Sequence, residues 1–373
     1  MISNFTIAKE KILDDLEGII MDLFRASPKH RRRGLWNIAT PWRANSKPSQ
    51  MCVWLQGGRR GAWKDFHSGE GIKGNGGDAI DLVAYGLEGS VNPDSRKRAV
   101  AWVFDRYGLG RMDDASRQRI QAEASTRRIA MEARDTRQRD ANRTRARKLF
   151  YSASDALAGT AVATYLAGRG IDLAAVPHLT RSFRFLPAAE YWMDAPQGAD
   201  GKRTGKGSLW PALVSAMVDG EGRLCANHLT FLARDGSAKA PVEKAKLMWP
   251  ETAGLVIRVT DGPSGLTASE AAAQGVAGLV GVTEGIEDAL SAAVGNDRLR
   301  MWAAGSLSGL LTLPDHACVS GWLIFKDNDW GKRQAEALFK RAVARLRGFG
   351  KPVEVVSVPA EWGKDANDAL QSR

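Results

Sequence analysis

Sulfur, imidazole and long apolar runs are scarce in this chain. Its 373 residues include three cysteines and five histidines. Cys52, Cys225 and Cys318 are odd in number and far apart. They make neither a disulfide framework nor a CxxC metal site, so each is expected to be a buried or neutral thiol. No apolar run approaches the roughly 20 residues needed to cross a bilayer. The opening Met1-Ile-Ser-Asn-Phe5 lacks the charged-then-apolar pattern of a signal peptide. The expectation is a cytoplasmic protein with no membrane partner. The phosphate loop Gly-x-x-x-x-Gly-Lys-Ser/Thr is also missing, which excludes a P-loop helicase domain in this chain.

Negative charge is in deficit. There are 42 Asp and Glu against 53 Lys and Arg, a formal net charge of +11. Lys and Arg displace condensed counterions from nucleic acid, giving sequence-independent, salt-sensitive binding. General basicity from high-GC coding explains the surplus equally well when charge is considered alone.

The acids that are present cluster informatively. Gly281-Val-Thr-Glu-Gly-Ile-Glu-Asp288 and Trp322-Leu-Ile-Phe-Lys-Asp-Asn-Asp-Trp-Gly331 each read as a buried strand ending in carboxylates. In a parallel α/β sheet, residues at the carboxyl ends of strands project into the ligand crevice. Glu284, Asp327 and Asp329 would meet there, and three carboxylates in one crevice call for a cation. Hard oxygen donors suit Mg²⁺ or Mn²⁺, which bridge and neutralise phosphate oxygens. A phosphate-handling acidic site tips the basic surplus toward a nucleic-acid partner.

Strand-Glu284-Gly285-x-x-Asp288-Ala-Leu, a helix, strand-Asp327-Asn-Asp329-x-Gly331 and another helix together resemble the Toprim domain of DnaG-type primases, topoisomerases and some nucleases. The form is most similar to plasmid and phage primases. Gly363-Lys-Asp-Ala-Asn-Asp-Ala-Leu370 resembles the element closing that domain in the same enzymes. The resemblance implies Glu284, Asp327 and Asp329 as catalytic acids, Asp327 and Asp329 holding the metal and Glu284 acting as general base or further metal ligand, with Asp288 orienting or joining the metal site. It also implies Lys326, Lys364, Asp365 and Asp368 as a nucleotide- and phosphate-handling cluster.

The chain in order supports several domains. Residues 5–26 read as one amphipathic helix, and Cys52–Gln56 with Ala62–Phe66 as a hairpin. Asp78 is a plausible N-cap for a following helix. Trp63-Lys-Asp-Phe66, a glycine turn and Gly77-Asp-Ala-Ile-Asp-Leu82 resemble the N-terminal template-binding domain of primases. That domain binds zinc in its ribbon form. Only Cys52 and His67 lie near, so a zinc-less relative is expected, with tryptophan packing in place of the metal. Arg59, Arg60 and Lys64 are candidate template contacts, and an exposed Trp would stack on a base.

Residues 113–150 lack Gly and Pro, and twelve Lys or Arg stand against six Asp or Glu from Arg111 to Lys148. This predicts a long, solvated, basic helix. Thr164-Tyr-Leu-Ala-Gly-Arg169-Gly-Ile171 resembles the segment opening the catalytic core of Toprim primases, making Arg169 a nucleotide or template contact or a helix cap. Trp210–Val218 and Leu224–Leu232 read as an antiparallel pair. By the same resemblance, His228, Lys244 and Lys246 are phosphate-contact candidates, though a satisfied strand histidine suits His228 better.

The expected architecture is a multi-domain α/β chain. A small α+β template-binding domain (1–110) precedes a basic helical linker (111–150). A mixed β subdomain (151–265) leads into a Toprim parallel sheet with flanking helices (266–373). The resemblance implies a DNA primase acting on single-stranded DNA and nucleoside triphosphates for a plasmid, phage or mobile element. A helicase or other replication protein would be supplied in trans. A Toprim nuclease and a catalytically silent single-stranded-DNA-binding factor are the alternatives. No tyrosine has the context of a topoisomerase nucleophile.

Overall fold

The computed structural model describes residues 3–372 apart from 33, 44, 67–75, 112–113, 199–202 and 329–332. The chain divides into two compact units, Met1–Arg139 and Asp140–Arg373.

The first unit opens with α1 (Asn4–Asp14) and α2 (Leu16–Phe24). The sequence predicts one continuous helix here, but the structure breaks it at Asp15, which leaves helical geometry. Its carboxylate accepts from the Tyr107 hydroxyl at 2.6 Å. The buried stripe nevertheless survives the break, through Ile7, Ile12, Leu16, Ile19, Ile20 and Phe24. Strands β1 (Arg31–Arg32), β2 (Leu35–Ile38), β3 (Met51–Trp54), β4 (Trp63–Asp65) and β5 (Gly76–Gly77) form an antiparallel meander. The predicted hairpin is β3–β4, paired through Cys52 and Lys64.

Helix α3 (Ala79–Glu88) starts at the predicted cap, Asp78, which exchanges bonds with Asp81 in a capping box. α4 (Pro93–Arg106) has a similar box at Asn92. Trp36 and Trp63 are buried, and Trp63 stacks on Tyr85 with centroids 4.6 Å apart. Asp65 beneath them binds Arg43 and the Tyr85 hydroxyl. The long basic helix α5 (Asp114–Ser152) is present as expected and crosses the boundary between the units.

The second unit begins with that helix's apolar end, Ala146 and Phe150, followed by the short α6 (Ala161–Ala167). β6 (Phe183–Tyr191), β7 (Ser208–Val218), β8 (Leu224–Phe231) and β9 (Lys246–Trp249) form an antiparallel sheet. Then come β10 (Ile257–Arg258), α7 (Ala268–Ala273), β11 (Gly278–Thr283), α8 (Ile286–Ala293), β12 (Arg300–Ala303), α9 (Leu307–Leu310), β13 (Val319–Lys326), α10 (Arg333–Arg347), β14 (Val353–Ser357) and α11 (Ala366–Gln371).

Their sheet has the order β10-β12-β11-β13-β14. β12, β11, β13 and β14 run parallel, and β10 is antiparallel at the edge. Val280, Val282, Trp322 and Ile324 share a buried cluster with Phe339, Ala342, Val343 and Leu346 of α10. Met301 and Ala303 share another with Ile286, Ala289 and Leu290 of α8. A parallel sheet needs apolar cover on both faces, and these two helices supply it.

Trp36→Ala should cost about 3–5 kcal/mol, the usual range for emptying a buried aromatic site. Denaturant unfolding followed by tryptophan fluorescence measures it; a loss below 1 kcal/mol would contradict a core role for this side chain.

Candidate metal and phosphate site

The two acidic motifs meet where the sheet topology requires. Val282 of β11 pairs with Ile324 of β13 in parallel register. Glu284 therefore follows one strand and Asp327 its neighbour, at the same edge. Thr283 Oγ1 donates to the Gly285 carbonyl at 2.6 Å and fixes the turn into α8. A Cβ on Gly285 would sit 2.4 Å from Asp288 Oδ2. Glycine is thus what lets the Asp288 carboxylate fold back over the turn. A cavity of about 180 Å³ opens here, lined by Glu284, Lys326, Asp327 and Asn328 with Leu307 and Leu310.

Asp288 is 8% exposed. Burial first, then the charges of Asp365, Asp327 and Glu287, push its carboxyl up to about 7. The carboxylates of all three motifs therefore act on one another. Asp329 lies outside the described residues, and among those described no three His, Cys, Asp or Glu form a metal-binding group. The donors that converge are hard carboxylate oxygens under mutual repulsion, and they suit a divalent cation.

Two asparagines unmarked by sequence reasoning lock the third motif in place. Asn328 donates from its backbone to the Lys364 carbonyl at 2.8 Å. Its Nδ2 donates to the carbonyls of Val358 and Gly363, both at 3.0 Å. Asn367 is 1% exposed. Its Nδ2 donates to Arg169 O and Ser291 Oγ, and its backbone N–H to Asp288 Oδ1. Both sit between the acids of their motifs, which was the signal available in the sequence. Asp365 caps α11 by accepting from the Asp368 backbone, while Asp368 Oδ2 accepts from the Lys364 N–H.

The basic candidates separate by occupation. Lys326 lines the cavity, with its ammonium 5.6 Å from the Phe339 ring centroid. Lys364 and Lys244 are exposed. Arg169 donates to Asn367 Oδ1 at 2.8 Å and covers Tyr165, so its position serves the packing of the third motif. Lys246 is bound to Glu287 at 2.8 Å. In the first unit, Arg60 donates to the carbonyls of Leu13 and Leu55, a structural engagement. Arg59 lies over Trp54 and Lys64 over Phe66, both cations exposed. Trp54, Arg59 and Lys64 line an open depression of about 510 Å³.

His228 is 2% exposed, with no partner on Nδ1 among the described residues. It is a buried strand histidine, as its strand position suggested, but among the described residues its Nδ1 is not satisfied as that reading expected. Burial, then the Lys246 charge, lowers its pKa to about 4.

Residues 279–373 match the family model described as Toprim domain. This segment is a Toprim domain. Residues 140–259, which precede the Toprim domain, match a domain of unknown function, DUF7146. Comparison with curated proteins finds no match.

Among solved structures, the chain is similar to a DNA primase domain from Pseudomonas aeruginosa: 19% identity, 62% of this chain and 74% of that one covered, TM-score 0.42. It is also similar to the RNA polymerase domain of Mycobacterium tuberculosis primase DnaG, at 16% identity, 63% and 82% coverage and TM-score 0.37. A third is the primase fragment of the bacteriophage T7 primase-helicase, at 14% identity, 46% and 61% coverage and TM-score 0.29.

His228→Gln gives a pH test of the interior. Between about pH 4 and 6.5 the unfolded chain binds a proton at this residue and the folded chain does not. Wild-type stability therefore falls as pH drops through that window, by up to about 3 kcal/mol from this group. Urea unfolding at pH 7 and pH 4.5 should show a smaller pH difference for the variant than for wild type.

Proposed function

We propose that this chain is a DNA primase, synthesising short primers on single-stranded DNA from nucleoside triphosphates. The observation that carries the reading is the meeting of Glu284 and Asp327 at the ends of adjacent parallel strands in a Toprim domain. Glu284, Asp327, Asp288 and Asp329 would hold Mg²⁺ or Mn²⁺. When bound, the metal supplies Lewis-acid neutralisation of the triphosphate oxygens.

The chain's own groups do the rest. Glu284 lines the cavity and would serve either as general base for an attacking 3′-hydroxyl or as a further metal ligand. Lys326, at the cavity wall, and the exposed Lys364 offset phosphate charge. Asp365 and Asp368 shape the loop that carries Lys364. The exposed Lys244 stays with the nucleotide and template set.

Template binding falls to the first unit. Arg59 and Lys64 meet phosphates while Trp54 and Phe66 offer faces to bases, a combination that suits sequence-tolerant single-strand binding. Tryptophan packing does the structural work of a zinc ion, so metal analysis of the purified protein should find no stoichiometric zinc. A helicase or other replication protein acts in trans, in the cytoplasm, for a plasmid, phage or mobile element.

Primer synthesis on single-stranded DNA with NTPs or dNTPs and Mg²⁺ or Mn²⁺ is the direct test. Wild type should make short oligonucleotides and the Asp327→Asn, Asp329→Asn double variant none. Shortened template without synthesis would indicate a Toprim nuclease instead; DNA binding with neither activity would indicate a silent binding factor.

Replacing Arg59 and Lys64 with Ala should lessen the slope of log K against log salt for single strands by about 1.4, some 0.7 per lost phosphate contact. An unaltered slope would remove both residues from the template path.

A further inference from the structure

A charge junction around one buried carboxylate ties the first turn of α8 to the sheet β6–β9 and to α6, its two lysines remaining partly exposed. Glu287 is 4% exposed. Its Oε1 accepts from the Tyr165 hydroxyl at 3.0 Å and pairs with Lys239 at 3.3 Å. Its Oε2 accepts from Lys246 at 2.8 Å. Residues from two distant parts of the chain, Tyr165 and the Lys239–Lys246 segment, thus converge on this carboxylate. Lys246 opposes Thr230, and Met248 opposes His228, which opposes Ser215. Directly opposed residues share a face, so these five lie on one side of the sheet. On that side Leu213, Met217 and Ala226 share a cluster with Ile286, Ala289 and Leu290 of α8.

Such pairing gives little net stability over an apolar replacement, because desolvation of the buried carboxylate offsets the attraction of the partly exposed lysines. What it does give is one fixed arrangement of its partners. Glu287 adjoins Asp288, and Gly285, the N-cap of α8, directly follows Glu284. Gly285 contributes no side-chain cap. The start of α8 is held instead from the side, by the lysines and the tyrosine. A shift of this turn would displace Asp288 and Glu284 together.

We propose that Glu287, held by Lys246, Lys239 and Tyr165, is a positioning residue that fixes the first turn of α8 and so sets the metal-binding geometry of Glu284 and Asp288. The proposal rests on the reading of those acids as the metal site. It also gives Lys246 a task distinct from phosphate contact.

The test separates positioning from simple electrostatics by opposite signs. Lys246→Met removes a positive charge beside the carboxylates, which alone would tighten divalent-cation binding. Loss of positioning weakens it instead, by roughly tenfold or more, the usual effect of removing a group that orients metal ligands. Mn²⁺ binding to the full chain is followed by the electron-paramagnetic-resonance signal of free Mn²⁺, with far-UV circular dichroism to establish folding.

Tyr165→Phe removes one donor to Glu287 without changing any charge, and it decides alone if Lys246→Met does not fold. Weaker Mn²⁺ binding by the folded variant supports the proposal. Unchanged or tighter binding overturns it while leaving the metal reading intact. If wild type itself binds no Mn²⁺, the metal reading falls and the proposal falls with it.

Discussion

The parallel register of β11 and β13, which sets their acidic ends side by side, is the constraint on which the site in the second unit depends. Parallel pairing of these strands brings Glu284 and Asp327 to one edge. The fold then adds Asp288 from α8 and Asp365 from the loop before α11; burial first, then the charges of Asp365, Asp327 and Glu287, raises the Asp288 pKa. Like charges so placed would separate if the backbone were free to move. Three sets of contacts hold it: the Thr283–Gly285 turn, the clasp of Asn328 on three carbonyls, and Asn367 between Arg169, Ser291 and Asp288.

The polar interior follows from the same demand. Asn367 uses its side-chain carbonyl, its amide and its backbone N–H in hydrogen bonds, although it is almost fully buried. Such a residue orders the groups around it, because any other arrangement leaves a buried polar atom unpaired. Glu287 acts similarly between the sheet and α8. Burial would raise its pKa, but Lys246 and Lys239 outweigh that and hold it below the ordinary carboxylate range.

Much of this was legible in the sequence because it depends on local rules. The alternating acids and glycines of Gly281–Asp288 and Trp322–Gly331 marked both strand ends. Asp78 announced α3, and the run without Gly or Pro announced α5. The break at Asp15 was not legible, since the apolar stripe runs unbroken through it and its cause includes Tyr107, 92 residues away. Occupation of the cations was hidden for the same reason. The partners of Arg60, Arg169 and Lys246, at Leu13, Asn367 and Glu287, lie too far away in the chain to be read from local spacing.

The sequence by itself determined the order of strands and helices, the acids at their ends and the glycines that let the turns close. Those depend on residue type and spacing within a few positions. Only the tertiary structure decided which acids share a field, which cations are engaged inside the protein and which remain exposed. Those outcomes depend on distances between residues far apart in the chain, and on burial, which makes each unpaired charge costly and each pairing specific.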